Sequence, residues 1–77
     1  MTRLIPLPAK EIVRALEKLG FEKKRQRGSH LLMAHDDGRS TVVPIHRGED
    51  VGRGLLRKIL RDIDIDVPEF MKLIKKG

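Results

Sequence analysis

The apolar residues of this 77-residue chain fall into short stretches with different spacings. Ile12, Val13, Leu16 and Leu19 recur at helical intervals, Pro8 suits a first turn, and Gly20 is a stop signal. The pattern predicts a helix from about Pro8 to Leu19, with Ile12, Leu16 and Leu19 facing the core. From Phe21 to Gln26 no further large apolar residue follows Phe21, and the charges suit a strand with a solvent face at a sheet edge. Gly28 marks a tight turn. His30 to His35 holds the apolar run Leu31-Leu32-Met33 and reads as a second strand. Asp36-Asp37-Gly38-Arg39 is a hairpin signature, with Asp-Gly supplying the positive φ angles. Ser40 to Ile45 is β-branched and reads as a third strand, which Pro44 ends or confines to an edge.

Residues His46 to Val51 read as a charged loop. Gly52-Arg53-Gly54 then leads into a second amphipathic helix carrying Leu55, Leu56, Ile59, Leu60 and Ile63. Asp66 and Glu69 have capping-box spacing, and Phe70, Leu73 and Ile74 make a short last helix ending at Gly77. The order is helix, three strands, helix, short helix. It implies an α+β fold: a three-stranded antiparallel sheet with helices packed on one face.

Length allows one domain, residues 1–77, with a core supplying no more than roughly 3–5 kcal/mol. There is no cysteine, so neither a disulfide nor a zinc–thiolate site is available. No apolar run nears the ~18 residues of a membrane span. The opening stretch, broken by Pro6 and Pro8, lacks the pattern of a signal peptide. A two-domain enzyme, a secreted disulfide scaffold and a membrane protein are excluded.

The formal charge is +6. The excess lies in the first sixty residues, most densely in Lys23-Lys24-Arg25-Gln26-Arg27, and such a field attracts polyanions, nucleic acid first. The ordinary alternative is a solvated face that aids solubility. With no Trp, no Tyr and only Phe21 and Phe70, the chain has no aromatic platform for stacking RNA bases. Any RNA contact is then expected through phosphates, shape and sugar hydroxyls.

Three histidines, His30, His35 and His46, match no zinc spacing, and no metal or cofactor is expected. Ser29 and His30 are strand neighbours pointing opposite ways, which disfavours a nucleophile pair. His30 alone, among cations, is a candidate acid or base, since imidazole exchanges protons near neutrality. RNA carries its own nucleophile, the 2′-hydroxyl. Lys24, Arg25 and Arg27 are candidates to neutralise the phosphate, and Gly28 to let the backbone approach it. Gly52-Arg53-Gly54 at a helix start, with Arg57, is a candidate anion site, though it lacks the ending of a Walker loop.

Leu16-Glu17-Lys18-Leu19-Gly20-Phe21, Arg27-Gly28-Ser29-His30, Asp37-Gly38, Val43-Pro44-Ile45-His46 and Gly54-Leu55-Leu56-Arg57-Lys58-Ile59-Leu60 occur in that order at close spacing. The set, over roughly residues 8–75, resembles the HicA family, the small toxins of HicA–HicB toxin–antitoxin pairs. The resemblance implies the fold of a double-stranded RNA-binding domain and a cytoplasmic endoribonuclease that cuts messenger RNA without a metal. It makes His30 the catalytic residue and a HicB-type antitoxin the partner in a hetero-oligomer. Gly28 and Ser29 complete the motif, and His46 is a candidate for the second proton transfer. Where the family commonly has threonine after the glycine opening the second helix, this chain has Leu55. The competing expectations are a non-catalytic RNA-binding module of the same fold and a protein partner whose charge is incidental.

Overall fold

The computed structural model describes residues 3–75. Helix α1 spans Ala9–Lys18, with extended Pro8 as its N-cap. Its buried residues, Ala9, Ile12, Val13, Ala15 and Leu16, form the stripe the periodicity marks. Gly20 ends it at φ +98. The Gly20 N–H donates to Glu17 O at 3.0 Å and the Phe21 N–H to Leu16 O at 3.0 Å, the two bonds of a Schellman stop. That stop turns Phe21 into the core, where it is 2% exposed. The first sheet strand therefore begins at Glu22, one residue later than the sequence pattern suggests.

Strands β2 (Glu22–Arg27), β3 (His30–Ala34) and β4 (Ser40–Pro44) form an antiparallel sheet in the order β2-β3-β4. Leu31, Met33, Thr41 and Val43 are buried on one face. Helix α2 (Arg53–Ile63) and α1 pack there, and α3 (Val67–Lys75) packs on α1. Among the described residues no element covers the other face. β2 and β4 are both edges, and Pro44 sits where its missing N–H costs nothing, since the next residue, Ile45, donates inward to Ser29 O at 2.6 Å.

β2 carries a bulge. Lys23 pairs with Met33 and Arg25 with Leu32, leaving Lys24 as the extra residue. The bulge resets the alternation, so that Glu22, Arg25 and Arg27 share the uncovered face.

A second pairing joins β1 (Leu7–Pro8) to β5 (Asp50–Val51) in antiparallel register. The expected loop from His46 to Val51 thus ends in a strand, with Leu7 and Val51 opposed and buried. The pattern missed it because two residues are too few to show a period.

The β3–β4 hairpin has a longer loop than expected. His35 lies in the turn, not the strand, and of the Asp37-Gly38 pair only Gly38 has a positive φ, +99. The Gly38 N–H donates to His35 O and the His35 N–H to Arg39 O, as in a three-residue loop closed by a glycine bulge. Arg39 fastens this end: it binds the Asp37 carboxylate at 2.8 Å and Ile63 O, and lies 5.1 Å over the Phe21 ring. Buried Thr41 donates to Asp62 at 3.0 Å, tying β4 to α2. α2 closes with Asp64 in the left-handed region, φ 58. Asp66 caps α3 by accepting the Glu69 N–H at 2.9 Å, the N-cap half of the expected box. Phe70, fully buried, seals α3 against the core. The expected end at Gly77 lies outside the described residues, as do Met1 and Thr2.

Candidate nucleic-acid interface

Arg27-Gly28-Ser29-His30 forms a two-residue turn in which Arg27 and His30 are directly opposed. Gly28, at φ +54, takes the first central position, where the chain bends as L side chains rarely allow. Gln26 Nε2 donates to Gly28 O at 3.0 Å from one side, and Ile45 N–H to Ser29 O from the other. The loop is therefore braced by β2 and by the end of β4.

The uncovered face builds up row by row. His30 lies between Arg27 of β2 and Pro44 of β4, and Leu32 between Arg25 and Val42. Arg25, Arg27, His30, Leu32 and Val42 line one hollow of ≈ 260 Å³. His30, Arg25 and Arg27 are exposed, and among the described residues no carboxylate pairs with them. Two guanidinium groups and an imidazole thus share one open depression with an apolar floor. Such a set can hold a phosphodiester and exchange a proton beside it.

The other expected residues are placed differently. The Lys24 ammonium is 3.0 Å from Glu22 Oε1, so it already has a counterion. Ser29 braces the turn through its carbonyl. His46 is exposed in a turn closed by the Glu49 N–H, and does not line the hollow of His30. Arg53 and Arg57 lie on α2, where they line a separate hollow with Arg3, Leu4 and Val67. The candidate residues therefore split into a sheet group and a helix group. Arg3 joins the latter because the β1–β5 pairing brings the chain start to the foot of α2.

His35 has a structural position. Its Nδ1 accepts the Asp37 N–H at 3.0 Å, and its ring meets Phe21 edge-on at 5.2 Å. A Cβ at Gly20 would lie 3.0 Å from its Nε2. His35 lies beyond the end of β3, so the strand alternation expected to set it against His30 does not apply to it. The Asp37 carboxyl is held below its usual value, first by the Arg39 N–H, with the Arg39 side chain and His35 adding to it against the opposing effect of desolvation. Among the described residues no three histidine, cysteine or carboxylate groups gather where they could hold a metal ion. Nor is any described helix long and apolar enough to cross a membrane.

Sequence reasoning passed over Leu32 and Val42. The signal was present: in β3 and β4 the odd positions are buried, so apolar residues at 32 and 42 fall on the face where polar ones are the rule.

A small α+β fold of the double-stranded-RNA-binding type, with a cationic hairpin and an imidazole on its bare sheet face, defines the class. The family model described as HicA toxin of bacterial toxin-antitoxin matches residues 9–65. The chain belongs to the HicA toxin family, toxins that pair with an antitoxin. The matched span runs from the start of α1 to the end of α2 and includes the whole sheet; α3 lies beyond it. Among curated proteins none matches.

Proposed function

We propose that this toxin is a single-domain endoribonuclease of the cytoplasm that cleaves messenger RNA and is restrained by a HicB-type antitoxin. The observation that carries the reading is the placement of His30 on the bare face, opposite Arg27 and in one hollow with Arg25. The reaction balances without an added nucleophile. The 2′-oxygen gives up its proton and bonds to phosphorus, the bond to the 5′-oxygen breaks, and that oxygen takes a proton. His30 serves one of these transfers. Arg25 and Arg27 counter the charge that builds on the phosphorane oxygens. Gly28 and Ser29 hold His30 and Arg27 in register. Arg53 and Arg57 add to the field that draws RNA in, from positions outside that hollow.

The test is incubation of a defined transcript with purified, antitoxin-free protein in chelator, wild type against His30→Ala. Wild type should leave 2′,3′-cyclic phosphate and 5′-hydroxyl ends. His30→Ala should bind equally well and cut at least 10²-fold more slowly, the usual share of a positioned acid or base. Ends bearing 5′-phosphate contradict the mechanism. A folded wild type that binds RNA and never cuts it is instead a binding module.

A further inference from the structure

An imidazole and two guanidinium groups supply charge and a proton, but they do not fix the nucleoside that must present its 2′-oxygen in line with phosphorus. Orientation of that kind is a large part of catalysis. The hollow around His30 contains a feature suited to it. Leu32 and Val42 are direct cross-strand partners on the bare face, and both line the hollow. Val42 is 41% exposed.

Single exposed apolar residues are ordinary on a protein surface. Here two are adjacent, at outward positions of neighbouring strands, one row away from His30 and Pro44. Arg25 flanks Leu32 in the same row and Arg27 flanks His30 in the next. The row pattern separates an apolar patch from the cations along its edge. A single RNA strand has the matching pattern, with flat base faces on one side and phosphates on the other. Neither phenylalanine reaches this face, since Phe21 and Phe70 are both buried, but burial of a base face against aliphatic carbon needs no ring.

We propose that Leu32 and Val42 form a nucleobase seat that positions the nucleotide next to the scissile phosphate, its phosphate lying toward Arg25 and Arg27. This rests on the ribonuclease reading for its purpose, but not for its detection. The occupant is one base of single-stranded RNA, and the two side chains are positioning residues, since neither takes part in proton transfer.

The experiment uses the wild-type chain with ¹³C-labelled Leu and Val methyl groups. The probe is a short oligoribonucleotide with 2′-O-methyl sugars, which blocks the attacking oxygen. Its twins carry one abasic position each, moved stepwise along the strand. The Leu32 and Val42 methyl resonances should shift upfield under the ring current of the base. One abasic position should abolish that shift and weaken binding roughly tenfold, from the lost apolar burial. The Leu32→Thr/Val42→Thr protein, which has a β-branched residue suited to a strand at both positions, should bind the normal and abasic strands alike.

Equal methyl shifts with every abasic twin would mean backbone contact alone and overturn the seat. So would methyl shifts that follow protein concentration without RNA, which would assign the face to a second copy, or methyl resonances that move only with the antitoxin. A base-dependent shift in a protein that never cuts RNA supports the seat while removing the ribonuclease reading. Cleavage with unmoved methyl groups does the reverse.

Discussion

Arg27 and His30 stand opposite each other across the Gly28–Ser29 turn, on the sheet face that the helices leave bare. A guanidinium and an imidazole are thereby set side by side by the geometry of the turn. The turn is short enough that its backbone sets their spacing.

Gly28 is the residue on which that spacing depends. A Cβ there meets nothing within 4 Å, so a substitution is opposed by backbone conformation and not by a clash. Gly28→Ala should destabilise the fold by about 1–2 kcal/mol in urea denaturation. Gly28→Asn should cost less, because asparagine tolerates the left-handed region. Cleavage should fall in the same order, Ala below Asn below wild type.

The basic run on β2 should divide by face and pairing. Arg25→Ala and Arg27→Ala should each weaken RNA binding and flatten the logarithmic salt dependence by about 0.7 per lost phosphate contact. Lys24→Ala should change the slope little, since its ammonium sits on Glu22. Titrations at several salt concentrations would show whether Lys24 behaves like its neighbours, against this expectation.

Asp37 should make stability depend on acid. Its carboxyl lies below its ordinary value of 3.8 in the folded chain. Its stabilisation is therefore complete well above that value and disappears as pH falls through the lower, folded-state value. Asp37→Asn should melt below wild type at neutral pH, with the gap closing on acidification below about pH 3.8. A gap that stays constant down to pH 2 would disprove the linkage.

Phe70→Ala removes a fully buried ring from α3. Such a truncation costs roughly 3–5 kcal/mol, comparable with everything a core of this size supplies. The variant should be largely unfolded by circular dichroism at 37 °C. Saturating antitoxin should recover part of the signal, since a partner at 100 times its dissociation constant adds about 2.7 kcal/mol to the folded state. An unchanged melting temperature would show that α3 is dispensable, as its position outside the matched span allows.

Much of this molecule follows from its residues in order. The 3.6-residue stripe of Ile12, Val13 and Leu16, the stop at Gly20, the glycine turn before His30 and the cap at Asp66 all act over five residues or fewer. Local chemistry determined them, and the cationic strand with its neighbouring imidazole came with them. Tertiary structure alone decided which residues share a face. The extra residue at Lys24 resets the alternation of β2 and puts Glu22, in place of Lys23, on the face of Arg25 and Arg27. The pairing of Leu7 with Val51 carries Arg3 to Arg53 and Arg57. Phe21 and Arg39 hold His35 in the turn, and the chain path after Ile45 leaves His46 outside the hollow. These outcomes depend on strand register and chain closure, set by contacts between residues far apart in sequence, which periodicity within a short window does not contain.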